Sequence, residues 1–281
     1  MKITILGSAA CEGIPALWCE CPVCREAARR GGRDIRRRCS YRIDDHTLVD
    51  FGPDGYLQNL EFGTDLTKID RLLFTHFHSD HFFPVDFLWR KRNSCFSHTE
   101  KYIDIHAPRL VFDLLLDRAR QNGFVRSLGE LQIRPHEVLP GEAFESGPLR
   151  VLPLAANHAP DSGAVFYAIE CGGKRVIIAN DTGYPEEASL KLLENYRAQC
   201  AILECTVALN KPEPDPECCH MNLATSVLLR DELRRRGALE PDAPVWLNHF
   251  SHNGFVLHDE FTQKCRPHDL RVAYDGLEIE L

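Results

Sequence analysis

The chain contains the sequence Leu73-Phe74-Thr75-His76-Phe77-His78-Ser79-Asp80-His81, in which a short apolar run leads into three imidazoles and a carboxylate. A β-strand over residues 71–75 would hold the loop that follows it in a fixed position. Neutral imidazole is the commonest metal ligand in proteins, and an added carboxylate suits a hard divalent ion such as Mn²⁺ or Zn²⁺. The loop of residues 76–81 is therefore predicted to bind metal rather than to be a surface cluster of histidines.

Three further ligand-type residues follow apolar runs later in the chain. They are His158, Asp181 and His249. A single histidine or aspartate after a strand is more often a capping or loop residue. Their order after the metal loop nevertheless favours one shared site.

The metal loop and these later residues resemble the metallo-β-lactamase-fold hydrolases, which carry an H-x-H-x-D-H motif after a strand. The resemblance implies an α/β (α+β) fold, an αβ/βα sandwich of four layers with a dinuclear metal site at one edge. It implies that the first metal is held by His76, His78 and His158, the second by Asp80, His81 and His249, with Asp181 bridging them. Two ions, Mn²⁺ or Zn²⁺, would share one hydroxide as the nucleophile, because a bound divalent ion lowers the pKa of water to about 7.

Asp50 ends another apolar run, residues 47–50, and matches an early aspartate of these hydrolases. It supports the metal loop from outside the ligand set, or it is an ordinary carboxylate in the turn after a strand. The sequence leaves both alternatives open.

A second group of ligand-type residues lies in the sequence Cys19-Glu20-Cys21-Pro22-Val23-Cys24. Three thiols at this spacing indicate Zn²⁺, for which thiolates are favoured ligands. The fourth ligand is missing locally, and His252, three residues after His249, is the candidate. We therefore expect a structural zinc site built on a loop at about residues 19–24 and closed by His252.

This combination resembles the phosphoribosyl 1,2-cyclic phosphate phosphodiesterases of the carbon-phosphorus lyase pathway. The matching features are Gly13-Ile14-Pro15, Cys19 to Cys24, Arg38-Cys39-Ser40, His76 to His81, Asn157-His158, Asn180-Asp181-Thr182, His220 and His249-x-x-His252. The resemblance implies a metal-dependent phosphodiesterase for a small cyclic or nucleotide-like phosphodiester, above all a phosphoribosyl cyclic phosphate. It makes His220 and Asp80 the catalytic residues, with His220 near the leaving group. The alternative for His220 is a structural residue at the start of a helix.

The composition limits the partners of the chain. It has 281 residues, 44% of them hydrophobic, and a net charge of -8, so it can bury a core but would repel a long nucleic acid. We expect one domain over residues 1–281, no membrane segment, and a small phosphodiester as substrate. Related enzymes are often dimers, so a homodimer is compatible with the resemblance. Twelve scattered cysteines and no recognisable signal peptide are typical of the cytoplasm, which is the expected location.

Two alternative functions stay open. The proteins of pyrroloquinoline quinone biosynthesis have the same fold and also carry an N-terminal cysteine cluster, and there the reaction would be oxidative. A non-catalytic metal-binding sensor is the other alternative, although it would not need the whole ligand set. RNA-processing nucleases share the H-x-H-x-D-H motif, but the sequence has no separate basic arm to grip a polyanion.

Short strands and helices alternate along the predicted fold. Apolar runs predict ten strands, at residues 3–6, 47–51, 71–75, 102–106, 151–154, 165–170, 175–179, 201–204, 244–247 and 277–281. Asp44-Asp45 and Asp275-Gly276 predict antiparallel pairing near both ends. Helices are predicted at residues 85–92, 109–121, 186–197 and 223–236. The proline-rich residues 212–216 are predicted to form a rigid loop near a site. Residues 93–145 contain no recognisable motif.

Overall fold

The computed structural model describes residues 1–121, 123 and 125–281. Asn122 and Phe124, which belong to the segment 93–145, lie outside the described residues. The strands are β1 Lys2–Gly7, β2 Ser40–Ile43, β3 Thr47–Val49, β4 Arg71–Leu73, β5 Ile103–Ala107, β6 Ile133–Glu137, β7 Phe144–Ser146, β8 Leu149–Ala155, β9 Val165–Cys171, β10 Lys174–Ala179, β11 Cys200–Glu204, β12 Val245–Asn248, β13 Leu270–Val272 and β14 Glu278–Glu280. The helices are α1 Pro22–Arg30, α2 Gly55–Glu61, α3 Pro84–Leu88, α4 Arg109–Gln121, α5 Glu187–Leu192, α6 Leu223–Arg235 and α7 His258–Cys265.

In the described part of the chain, two mixed sheets of seven strands each form the centre of the fold. The first has the strand order β14-β1-β2-β3-β4-β5-β6, and the second has the order β13-β12-β11-β10-β9-β8-β7. Strands β3 to β6 are parallel to one another, and so are strands β10 to β13. The carboxyl ends of parallel strands meet at one edge of a sheet, where the loops that follow them can build a site.

The buried side chains form three separate clusters. Ile178 of β10 belongs to the cluster between the two sheets, whereas its neighbour Ile177 packs with Leu229 of α6 on the outer face of the second sheet. Leu48 of β3 packs with Leu115 of α4 on the outer face of the first sheet. Each such aliphatic side chain contributes about 1.5–3 kcal/mol by leaving water. Three clusters separate four layers, which confirms the predicted αβ/βα sandwich.

The predicted strands are all present, within two residues of their predicted bounds. Strands β2, β6, β7 and β13 were not predicted, because each is short and polar on at least one face. Helix α1 was also missed. Pro22 occupies its first turn and the Cys21 side chain accepts a hydrogen bond from the backbone N–H of Cys24, so the helix begins inside the cysteine motif.

Two predicted helices are shorter than expected. The helix predicted at residues 186–197 ends at Leu192 of α5, and Asn195 and Arg197 beyond it have positive φ angles of 61° and 59°. Left-handed residues cannot continue an α-helix. The helix predicted at residues 85–92 is α3, which ends at Leu88. Among the described residues, no helix has both the length and the apolar composition needed to cross a membrane.

The two predicted turns differ in outcome. Strands β2 and β3 are antiparallel around Asp44-Asp45, as predicted. Strand β14 also pairs antiparallel with β1, but Asp275-Gly276 is not a hairpin turn, because β13 lies in the second sheet and β14 in the first. This segment carries the chain across the sandwich, where the N–H of Gly276 donates to the carbonyl of Ile5 at 2.7 Å.

Candidate metal centre

The predicted ligands come from turns at one edge of the two sheets. The metal loop of residues 76–81 follows β4, and the later ligands follow β8, β10 and β12. Their ligand atoms form two groups, and within each group all atoms lie within 4.8 Å of one another. The first group is His76, His78, His158 and Asp181, and the second is Asp80, His81, Asp181 and His249. The structure thus brings together all seven residues predicted for the dinuclear site.

Asp181 belongs to both groups through a single oxygen. Its Oδ2 lies 3.2 Å from Nε2 of His76, of His158 and of His81. Two ligands of a tetrahedral ion with bonds of about 2.0–2.1 Å lie roughly 3.3 Å apart. The separations therefore fit a carboxylate oxygen shared between two cations.

Hydrogen bonds on the outer side fix the tautomers of two ligand histidines. Nδ1 of His81 donates to Oδ2 of Asp50 at 2.7 Å, and Nδ1 of His249 donates to Oγ1 of Thr206 at 2.9 Å. In the neutral ring the other nitrogen, Nε2, then carries a lone pair. Both Nε2 atoms are buried and make no hydrogen bond with any described residue. Buried lone pairs that face carboxylates are costly unless a cation satisfies them, so the donor set fits divalent metals.

Asp50 connects the first sheet to the metal loop. Its Oδ1 accepts from the backbone N–H of Thr75 at 2.8 Å, and its Oδ2 accepts from the Thr75 hydroxyl at 2.9 Å as well as from His81. The side chain is fully buried. These contacts favour support of the metal loop over the alternative of an ordinary turn carboxylate.

Three residues of the site have left-handed backbone angles. The φ angles are +61° at Asp50, +48° at Asp181 and +59° at His249. Positive φ is uncommon outside glycine, although aspartate and histidine tolerate it better than most residues. Each of the three follows a strand directly or by one residue, so the left-handed turn sets the direction of the side chain at the sheet edge.

Burial and the charges of neighbouring side chains shift the pKa values of the predicted metal ligands. Burial lowers the pKa of His158 to about 4. Burial alone would raise the pKa of Asp181, but His249 and His76 outweigh it and hold the pKa well below its usual range. Burial lowers the pKa of His81, yet Asp80 and Asp50 raise it well above its ordinary value. A cation that takes the place of that proton would be stabilised by the same carboxylates.

His220 lies beside both groups of ligands. Its Nδ1 is 3.1 Å from Oε1 of Glu204 and 3.2 Å from Oδ1 of Asp181. Oε2 of Glu204 accepts from the backbone N–H of Thr206 at 3.0 Å and also from the Thr206 hydroxyl. Burial lowers the pKa of His220, but the hydrogen bond and charge of Glu204 raise it to about 9. Glu204 therefore links His220 with Thr206, the residue that orients His249.

Sequence reasoning missed Glu204 and a polar network beneath the site. Nδ2 of Asn248 donates to the hydroxyl of Tyr41 at 2.9 Å, and this hydroxyl donates to Oδ1 of Asn180 at 3.1 Å. The two asparagines directly precede His249 and Asp181, so the network ties two ligand turns to strand β2. The one signal in the sequence was Glu204 itself, a carboxylate at the end of an apolar run.

The predicted zinc ligands also come together. Sγ of Cys19, Cys21 and Cys24 and a ring nitrogen of His252 lie within 4.8 Å of one another. Nδ1 of His252 is 3.4 Å from the sulfur atoms of Cys19 and Cys21. A sulfur and a nitrogen on one tetrahedral zinc ion lie roughly 3.6 Å apart, so the group fits zinc. Burial raises the pKa of the Cys24 thiol to about 12. Burial would also raise the pKa of the Cys21 thiol, but the hydrogen bond with His252 outweighs it and lowers the pKa to about 6.

Comparison with known proteins identifies the family. The model of the beta-lactamase superfamily domain matches residues 46–239, which contain the metal loop, His158, Asp181 and His220. The chain belongs to the beta-lactamase superfamily. His249 and the cysteine group of this superfamily member lie outside the matched residues.

Solved structures share the whole fold of this beta-lactamase superfamily chain. A diphosphatase of the PhnP family has a TM-score of 0.72 at 23% identity, and the match covers 100% of this chain and 97% of that one. Zn²⁺-bound PqqB from Methylobacterium extorquens has a TM-score of 0.74 at 17% identity, with 100% of both chains covered. At these identities the likeness shows the fold alone.

A relative in sequence is the octanoyltransferase of Porphyromonas gingivalis (strain ATCC BAA-308 / W83). It is 33% identical over 294 residues, which cover 99% of this chain and 51% of that protein. This superfamily member therefore spans about half the length of that relative.

Proposed function

We propose that this chain is a dinuclear metal-dependent phosphodiesterase for a small cyclic or nucleotide-like phosphodiester, above all a phosphoribosyl cyclic phosphate. The observation that carries the proposal is the position of His220, with Nδ1 3.2 Å from Asp181 and 3.1 Å from Glu204. Hydrolysis of an alkyl phosphodiester needs a proton for the departing alkoxide, and an imidazole beside the ligand groups can donate it. The likeness in fold to a diphosphatase of the PhnP family supports hydrolysis at a phosphorus centre.

The two groups of ligands would hold two divalent cations, Mn²⁺ or Zn²⁺. When bound, the cations would supply positive charge to polarise the phosphoryl oxygens and activate water. Asp181 would bridge the two cations. Asp80 would be a ligand of the second cation, and in that position it would be a catalytic residue. The cysteine group would hold a separate structural zinc.

Glu204 determines how His220 can act. A carboxylate only accepts hydrogen bonds, so the hydrogen between Nδ1 of His220 and Oε1 of Glu204 belongs to the imidazole. The proton on Nε2 is then the one available to the leaving oxygen. Asp181 also contacts Nδ1, so His220 is positioned by the same carboxylate that joins the two ligand groups.

Turnover of phosphodiesters by the metal-loaded protein tests the proposal. Bis-p-nitrophenyl phosphate and ribose 1,2-cyclic phosphate would be offered to protein reconstituted with Mn²⁺ or with Zn²⁺. We expect hydrolysis of both, with a slower reaction in His220→Asn and an unchanged one in His46→Asn, which alters an exposed histidine. Protein that carries its full metal content and hydrolyses neither ester would refute the proposal.

A second candidate is the hydrolysis of an octanoyl ester or thioester. It is favoured by the 33% identity to a protein named an octanoyltransferase, of which this chain spans half. Release of octanoate from an octanoyl thioester, with no phosphodiester turnover, would select this candidate. Oxygen consumption by an iron-loaded protein would instead select the oxidative alternative.

A further inference from the structure

An apolar groove lies on the outer face of the first sheet, bordered by residues of α2 and α3. It has a volume of about 400 Å³. Leu48, Leu72 and Ile103, from the neighbouring strands β3, β4 and β5, form its floor, and Tyr56 and Leu66 are exposed at its rim. Pockets that bind small molecules typically have about 300–1,000 Å³ and a mostly apolar lining with few polar groups. The groove therefore has the size and lining of a ligand pocket.

The groove is separate from the candidate metal centre. Leu48 and Leu72 belong to the cluster on the outer face of the first sheet, whereas the metal ligands follow the ends of the strands. The two are connected through Phe51, whose ring lies 5.7 Å from that of Phe87 in the groove wall. The backbone N–H of Phe51 donates to the carbonyl of His81 at 2.8 Å. A ligand in the groove would thus lie behind the metal loop and outside the candidate metal centre.

A cationic side chain lines this apolar groove. Nη2 of Arg90 donates to the carbonyl of Lys101 at 2.8 Å, but its Nε is buried and reaches no acceptor in the described part of the chain. A buried donor without an acceptor costs free energy. Asp86 also lines the groove, but its carboxylate accepts a hydrogen bond from Trp89 and makes no ion pair with Arg90 within 4.0 Å. Among the described residues neither charge is in an ion pair, but only the guanidinium also has a buried donor left to be matched by an acceptor.

We propose that this groove binds a linear medium-chain carboxylate. The chain would lie on Leu48, Leu72 and Ile103, and the carboxylate would accept hydrogen bonds from Arg90. An anionic acceptor makes shorter and stronger hydrogen bonds with a guanidinium than a neutral one does. The proposal is independent of the reaction at the metal centre, since none of its residues is a proposed metal ligand.

Calorimetric titration with butanoate, hexanoate, octanoate, 1-octanol and octylamine tests the ligand class. Each methylene that leaves water should tighten binding of the carboxylates by about fourfold until the groove is full. Octanoate should bind at least about tenfold more tightly than 1-octanol, because only the carboxylate forms a charge-assisted bond with Arg90. Equal affinity for octanoate and 1-octanol, or stronger binding of octylamine, would overturn the proposal.

Two substitutions locate the binding site. Leu66→Trp adds bulk at the rim and should abolish binding of octanoate, whereas Leu60→Trp alters an exposed leucine of α2 that does not line the groove and should leave binding unchanged. Arg90→Gln should weaken the binding of octanoate by about tenfold or more and leave the binding of 1-octanol unchanged. Octanoate binding that survives Leu66→Trp, or that Leu60→Trp weakens equally, would contradict the assignment of the groove.

Discussion

Oδ2 of Asp50 accepts a hydrogen bond from Nδ1 of His81 at 2.7 Å, and both side chains are fully buried. The same carboxylate accepts from the backbone and the hydroxyl of Thr75. One residue at the end of β3 thus fixes both the start and the end of the metal loop. A carboxylate that holds a ligand histidine in this way sets its tautomer and its orientation.

Asp50→Ala should weaken metal binding without removing a ligand. The substitution frees His81 to rotate and leaves the N–H of Thr75 buried without its acceptor, and losses of this kind typically reduce metal affinity by about 10–100-fold. Competition with a chelator would measure the change. Asp45→Ala, at an exposed turn carboxylate, is the matched control. Equal metal affinity in the two variants would show that Asp50 has no part in the site.

Gly52→Ala should displace the metal loop. A Cβ atom at this position would lie 1.9 Å from the backbone carbonyl oxygen of Asp80, which cannot move without the ligand it belongs to. We expect a lower melting temperature and a loss of metal, compared with Gly129→Ala, where the nearest atom would be 3.9 Å away. Circular dichroism and metal analysis would record both effects. A Gly52→Ala protein with normal stability and metal content would rule out this close packing.

Tyr41→Phe should destabilise the fold by about 1–3 kcal/mol, because it removes two buried hydrogen bonds and leaves Asn180 and Asn248 with only the thiol of Cys39 as a shared partner. Urea denaturation of the metal-free protein would give the change in free energy of unfolding. Tyr102→Phe removes a hydroxyl from a more exposed ring and should have little effect. A decrease in the free energy of unfolding no greater than that caused by Tyr102→Phe would show that the network does not stabilise the ligand turns.

His220→Asn should reduce kcat by about 10²–10⁴-fold for an alkyl leaving group. The reduction should be smaller for p-nitrophenolate, which departs without a proton. Metal content should not change, since His220 is outside the seven-ligand set. The comparison of kcat for the two substrates is the diagnostic measurement. An equal reduction for both leaving groups would argue against proton donation by His220.

Local patterns alone predicted most of the strands, the main helices and a metal-binding loop, whereas the four-layer fold and the grouping of the ligands were predicted through the resemblance to metallo-β-lactamase-fold hydrolases. Short apolar runs rich in β-forming residues predicted most of the strands, and a motif as dense as His76 to His81 is rarely anything but a metal site. Ligands at strand ends converge because parallel strands end at the same edge of a sheet.

Other parts of the site depend on contacts between distant residues, and the position of Glu204 at the end of an apolar run was their one signal in the sequence. Asn180 and Asn248 meet through Tyr41 and Cys39, both distant from them in sequence. The role of Glu204 becomes visible only when His220, 16 residues away, folds against it. The left-handed turns at Asp50 and Asp181 likewise arise from tertiary packing that overrides local preference.

The most direct test of two separate metal centres is metal analysis of the wild type beside Asp181→Ala and Cys21→Ala. We predict two divalent ions and one zinc in the wild type. Asp181→Ala should lose the two ions and keep the zinc. Cys21→Ala should lose the zinc and fold poorly, since a structural zinc contributes directly to folding free energy. Unchanged metal content in both variants would contradict both site assignments.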